Sequence, residues 1–244
     1  MRNLRLDICY DGTRYRGWQR LGNGGNTIQG KLEQTLSKLL GETVEVSGSG
    51  RTDAGTHAMG QVVSFHTNSD MLPDMILSGL KKYLPEDIGV YACKDVSPRF
   101  HARLNAKEKT YRYRIWNSDN PCVFERKYVY VFRDQLDVAR MQSAAARYIG
   151  THDFSAFCGN SKMKKSTVRA IKRFSVEKCG DEICFTVTGN GFLQHMVRIM
   201  VGTLVEIGLG KRDEASIAEL FGGERAEAGP AVPASGLCLM EVTY

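Results

Sequence analysis

Leu4, Leu6, Ile8 and Tyr10 alternate with Arg5, Asp7 and Cys9. That period of two predicts a half-buried strand, and Asp11-Gly12 ends it. The spacing then changes. From Thr27 to Leu40, Ile28, Leu32, Leu36, Leu39 and Leu40 recur at helical intervals, and Asn26 with Gln29 three residues on resembles a capping box. Thr43–Val46 and Gln61–His66 read as strands, the second carrying β-branched Val62 and Val63. Leu72–Tyr83 reads as a helix with Pro73 in its first turn and Pro85 past its end. Asp87–Val96 is the next strand. Strand, helix, strand, strand, helix, strand is the order of a ferredoxin-like unit.

The pattern recurs. After one extra strand, Lys107–Trp116, a second series follows: a strand at Arg126–Phe132 and an amphipathic stretch at Leu136–Ile149. Val168–Val176 and Glu182–Val187 read as a hairpin around Cys179-Gly180-Asp181. Gln194–Ile207 is a strongly apolar helix, Ala215–Phe221 a shorter one, and Leu237–Val242 a closing strand. The expected fold is α+β. Two fused ferredoxin-like halves, 1–104 and 105–244, form a larger, mainly antiparallel sheet with helices on one face and an active-site cleft between the halves. Ser161–Ser166 is a short basic loop. Gly222–Ala234, rich in Gly, Ala and Pro, reads as an ordered excursion before the last strand.

Composition narrows the class only modestly. The 244 residues are 42% hydrophobic and 25% charged, ordinary for a globular chain. No run approaches the ~18 apolar residues of a membrane helix, and the alternating start predicts no signal peptide. Seven cysteines, an odd and scattered set without close C-x-x-C spacing, point to a reducing, cytoplasmic compartment. The net charge of +6 is compatible with a polyanionic partner.

Three segments carry candidate chemistry. Gly48-Ser49-Gly50-Arg51-Thr52-Asp53-Ala54-Gly55 lies between two strands. Its glycines permit a sharp turn and a close ligand, and it sets a guanidinium beside a carboxylate. Taken alone, an Asp in such a turn more often bonds its own backbone. Lys107–Arg114 alternates Tyr111 and Tyr113 with Arg112 and Arg114. Those are the pieces of single-stranded RNA recognition, and equally those of an amphipathic strand. Asn190–Gly202 places Arg198 in a very apolar helix, where a cation needs a carboxylate partner or must snorkel. Asp53 is one partner, and Glu206 is a local alternative. His195 suits a structural role at a helix start better than a catalytic one. Basic-aromatic clusters at Arg14–Arg20 and Arg99–Arg103 add to the RNA reading. There is no phosphate loop, dinucleotide fingerprint, metal-ligand spacing or nucleophile elbow. The expected chemistry therefore uses neither cofactor nor metal.

Gly50-Arg51-Thr52-Asp53-Ala54-Gly55 with His57 resembles the signature of the TruA family of tRNA pseudouridine synthases. Five further stretches resemble it in order. They are Tyr10-Asp11-Gly12 with Tyr15, Gly17, Trp18 and Gln19; Phe100-His101-Ala102-Arg103 with the tyrosine strand; and Gly150 with His152-Asp153-Phe154 and Phe157. The last two are Phe192-Leu193 with His195–Arg198, and Pro233-Ala234 with Gly236-Leu237. Thr56 and Ile199 depart from the pattern, where valine and asparagine are commoner. The resemblance implies a cofactor-free homodimer that isomerises uridines 38, 39 and 40 of the tRNA anticodon arm. It implies Asp53 as the catalytic carboxylate, Tyr111 stacking on the target base, Arg198 as the basic partner of Asp53, and Arg51 on the RNA backbone or in the vacated stack. The alternative is a non-catalytic RNA-binding protein with duplicated RNA-recognition-like units. A weaker one, a nucleoside hydrolase-like enzyme, lacks a second acid at a suitable motif position.

Overall fold

The computed structural model describes residues 1–22, 24–160 and 162–244. Ser161, the first residue of the expected basic loop, lies outside them. The fold is mixed α+β, as expected. The chain forms two compact units: Met1–Lys107 with Leu239–Tyr244, and Glu108–Cys238.

Unit 1 contains β1 (Arg2–Tyr10), α1 (Ile28–Leu40), β2 (Val46–Gly48), β3 (His57–Thr67), α2 (Pro73–Tyr83) and β4 (Ile88–Val96). β1 runs antiparallel between β4 and β3, and β2 pairs with β3 on its other side. The resulting order β4-β1-β3-β2 is that of a ferredoxin-like sheet. The alternation in β1 is a core face: Leu4, Leu6 and Ile8 are fully buried, and Leu32, Leu36, Ile76 and Leu80 of the helices close over this core. α1 begins one residue later than the expected box. Thr27 Oγ1 accepts from Gly30 N at 3.2 Å, Asn26 Nδ2 donates to Arg14 O, and Gln29 is buried. The chain returns to unit 1 through β10 (Leu237–Thr243), whose residues from Leu239 on lie beside β3. Gly60 makes room for it, since a Cβ there would stand 2.3 Å from Met240 O.

Unit 2 corrects one expectation. Glu108–Trp116 (β5) is the first strand of the second unit rather than an extra one. It pairs with β9 (Glu182–Gly189), which pairs with β8 (Val168–Cys179), and β7 (Gly150–Asp153) lies beyond. The expected strand at Arg126–Phe132 shrinks to β6 (Tyr130–Val131), a short parallel addition to β5. Beyond that short ladder a side chain fastens the segment: Asn117 Nδ2 donates to the carbonyls of Phe132 and Asp134. α3 (Val138–Ala146) packs on β8, and α4 (Met196–Gly208) packs on α3 and β5; α5 (Ser216–Glu219) follows. Tyr148, Phe154, Phe157, Phe174 and Phe221 form an aromatic core, with Tyr148–Phe157 centroids 5.3 Å apart and edge-on.

The Gly/Ala/Pro-rich excursion is ordered, as its composition predicts. It lies along α4, where Gly229 N donates to Thr203 Oγ1 at 3.0 Å and Val232 N to Arg198 O at 3.3 Å. Gly202 permits this approach: a Cβ would stand 1.8 Å from Pro230 O. We expect Gly202→Ala to lower stability by about 2–3 kcal/mol, as overpacking against a backbone atom does. Urea denaturation of the variant checks this, and an unchanged midpoint contradicts it.

Candidate active site

The loop from Ser49 to Thr56 joins β2 to β3 and carries Arg51 and Asp53. Arg51 is exposed and Asp53 half-buried. Thr56 N donates to Asp53 O at 3.1 Å, and Gly55 takes φ +77° as the third residue of that turn.

Beneath the loop lies a buried polar network. Gln61, fully buried on β3, receives the Ser49 hydroxyl on Oε1 at 2.5 Å and donates from Nε2 to Gly50 O at 3.0 Å. The same Nε2 lies 3.5 Å from Tyr10 Oη, which shares a 2.9 Å bond with Thr52 Oγ1. Residues immediately before Asp53 are therefore tied to β1 and β3 by hydrogen bonds shielded from water. Such bonds are the stronger for that low-dielectric setting.

The first-strand motif braces the loop from the other side. Trp18 N donates to Thr52 O at 3.0 Å and Gly55 N to Tyr15 O at 3.3 Å. Neither Gly12 nor Gly17 has space for a side chain: a Cβ would stand 2.0 Å from Thr56 O at the first and 2.7 Å from Thr52 O at the second. Gly17 also has φ +92°, a region that favours glycine. Two cations of this motif are already engaged. Arg14 pairs with Asp87 at 2.6 Å, and Arg20 pairs with buried Glu33 at 3.0 Å. Tyr15 also donates to Asp87, and burial followed by this bond raises its pKa.

In unit 2, β5 alternates as expected. Tyr111 and Tyr113 are buried, and Arg112 is exposed. Tyr111 sits opposite Val187 and meets Phe192 edge-on, with centroids 5.1 Å apart. Tyr113 donates its hydroxyl to Pro233 O at 2.7 Å. Burial raises its pKa, and the charge of Arg198 opposes that shift. Arg114 does not present its charge to solvent; Glu182 and Glu125 hold it, at 2.6 and 2.9 Å.

Arg198 occupies the first turn of α4 and is half-buried, and its Nε donates to Val232 O at 2.7 Å. The local alternative partner, Glu206, is paired with Arg212 at 2.9 Å instead. His195 precedes the helix with φ 59°, and is the sole non-glycine with positive φ among the described residues. Its ring lies where Gly159 has no side chain, a Cβ there falling 2.4 Å from Nδ1. Among the described residues no group of three His, Cys, Asp or Glu side chains is placed to hold a metal ion.

A family model described as tRNA pseudouridine synthase matches residues 8–105 and 144–244. The chain belongs to that family. A tRNA pseudouridine synthase A 1 from Clostridium tetani (strain Massachusetts / E88) is 46% identical over 245 residues, covering 100% of both chains. The tRNA pseudouridine synthase A of Bacillus sp. (strain KSM-64) is 44% identical and the tRNA pseudouridine synthase A 2 of Bacillus cereus (strain ZK / E33L) 42% identical, each again covering 100% of both chains. The chain is thus an isomerase acting on tRNA.

For a pseudouridine synthase, the matched stretches contain Arg51, Asp53 and Arg198, while Tyr111 falls between them. Unit 1 brings Arg51 and Asp53 onto one loop. Unit 2 sets Tyr111 and Arg198 around Tyr113, Phe192 and Val232. Tyr10 and Thr52 stand in the quoted motifs without a role assigned from sequence, and the buried support Gln61 read only as the start of a strand. The available signal was a glutamine beginning an otherwise apolar stretch of strand.

Gln61→Leu removes one hydrogen bond from each of Ser49, Gly50 and Tyr10. We expect single-turnover kcat to fall about a hundredfold, the scale of a 1 Å misplacement, with tRNA Kd nearly unchanged. Amide exchange across 50–54 should quicken. Wild-type rates in both measurements would show that the network does not hold the loop.

Proposed function

We propose that this enzyme converts uridines 38, 39 and 40 of the tRNA anticodon arm to pseudouridine, with Asp53 as the essential carboxylate and no cofactor. The observation that carries the reading is the braced loop. A half-buried carboxylate stands on a loop whose preceding residues Gly50 and Thr52 are held by Gln61 and Tyr10, in a chain similar over its whole length to enzymes named tRNA pseudouridine synthase A. The reaction breaks the N1–C1′ bond, turns the uracil, and joins C5 to C1′. The proton leaves C5 and N1 gains one, so atoms balance without a redox partner.

The target base must leave its stack, which costs a few kcal/mol. Tyr111 offsets part of that by stacking, at about 1–3 kcal/mol per base. Its edge-on contact with Phe192 fixes the ring. Asp53 works ionised, as nucleophile at C1′ or as base on the sugar, and Arg198 contributes a cation to substrate binding. Arg51 bonds the RNA backbone or fills the vacated stack. The enzyme acts as a cytoplasmic homodimer. In support of a reducing compartment, the seven cysteines form no disulfide among the described residues.

Tritium release from tRNA labelled at uridine C5 is the direct assay. Asp53→Ala should lower release at least about a thousandfold while gel-shift binding of tRNA persists. Turnover close to wild type would remove Asp53 from its role. Tyr111→Leu should cost about tenfold or more in kcat/KM, within the range of a lost base stack, and sequencing of the product should place pseudouridine at 38–40.

A further inference from the structure

Val232 and Pro233 offer two successive carbonyls to two different elements of unit 2. Arg198 Nε, in the first turn of α4, donates to Val232 O at 2.7 Å. Tyr113 Oη, on β5, donates to Pro233 O at 2.7 Å. The sequence explains why both carbonyls turn to side chains. A residue before proline is driven to extended backbone, so Val232 does not continue a helical turn. Proline has no N–H with which to join a ladder, and Pro233 is itself extended, at φ −51° and ψ 146°. The contact with α4 is two-sided, since Val232 N donates back to Arg198 O at 3.3 Å.

The phenol end of this arrangement is fixed. Tyr113 has no exposed surface. Its ring fills the space that Gly236 leaves, where a Cβ would stand 2.7 Å from Tyr113 Cζ and 2.7 Å from Arg114 O. Burial raises the pKa of the hydroxyl, which stays protonated and a donor at neutral pH, and the charge of Arg198 is felt there. The two carbonyls move together, because the peptide between Val232 and Pro233 is planar and the proline ring locks φ. The guanidinium end, by contrast, sits on a long side chain with many rotamers. A bond at Nε orients its planar fork, so the place of Val232 O decides where the fork points.

We propose that Tyr113 is a positioning residue: by holding Pro233 O it holds Val232 O, and through that carbonyl it aims the guanidinium of Arg198 at the substrate. Being fully buried, Tyr113 acts on the RNA by this path and not by contact. The inference rests on the proposed part of Arg198 in binding tRNA, whereas the path from phenol to guanidinium stands on the hydrogen bonds alone.

Tyr113→Phe keeps the ring and deletes one hydroxyl. Its effect is measured with unmodified tRNA in the wild-type enzyme and in Arg198→Gln. In the wild type, KM and Kd should each rise about fivefold, the scale of one lost hydrogen bond, with kcat little changed. In the Arg198→Gln background the same substitution should change neither, because groups that act through one another do not add. With Arg198→Gln impaired, wild-type KM in Tyr113→Phe overturns the proposal, and so do equal rises in the two backgrounds, which a hydroxyl serving the fold alone would give. A second measurement needs no substrate. Hydrogen exchange at Arg198 Nε, followed by NMR on the whole chain, should quicken about tenfold in Tyr113→Phe, and unchanged protection overturns the path. Quickened exchange together with wild-type tRNA binding by Arg198→Gln would sink the part given to Arg198 and leave the path from Tyr113 standing.

Discussion

A single buried amide side chain sets the conditions for the Asp53 loop. Gln61 has no access to water, so its oxygen and nitrogen must find partners inside the protein. It finds them in Ser49, Gly50 and Tyr10, and Tyr10 passes the constraint on to Thr52. Leaving any of these groups without a hydrogen bond costs more than the bond contributes in the folded state. The network is therefore close to all-or-none, and it ends one residue short of Asp53. The ferredoxin-like sheet supports this network because β1 and β3 are adjacent. Their pairing brings Tyr10 of one strand next to Ala58 of the other and keeps Gln61 opposite Ile8.

Unit 2 uses a different device for its cation. An arginine in a helix as apolar as α4 needs a polar contact. A main-chain carbonyl, Val232 O, provides it. The segment bearing that carbonyl reaches the helix only because Gly202 and Gly229 lack side chains, a Cβ at Gly229 falling 2.7 Å from Thr203 N. His195 precedes the same turn in a left-handed conformation, a strained setting of the kind that gathers at functional sites.

Much of the architecture was legible in residue periodicity. The strand at Leu4–Tyr10 and the helix built on Ile28, Leu32 and Leu36 have strong local patterns, and the structure keeps both. What local pattern misjudged was a matter of partners. Arg126–Phe132 alternates well enough for a strand but has few ladder partners, so Asn117 secures its carbonyls instead. Asn26 and Gln29 have capping spacing, yet Gln29 is drawn into the buried set with Glu33 and Val46. The site divides likewise. Asp53, Arg51 and Arg198 stand in recognisable motifs. Their supports are residues distant in sequence, as Tyr10 is from Thr52 and Arg198 from Val232. Nor does charge in a sequence disclose its neutraliser: Arg14, Arg20 and Arg114 each read as an RNA contact and each has a carboxylate.

The contacts of Gly12 and Gly17 with Thr56 and Thr52 place two ribbons of main chain against each other with no side chain as spacer. Bare backbone in contact tolerates no slippage. A one-residue insertion between 12 and 17 would slide a Cβ-bearing residue onto a carbonyl oxygen and lift the neighbouring ribbon, together with the carboxylate on its crest. Slack exists farther along, at Gly22 and Gly24, where a Cβ meets nothing within 4 Å. An added side chain is therefore accommodated at Gly22, whereas the two crossing ribbons admit change only as a matched pair.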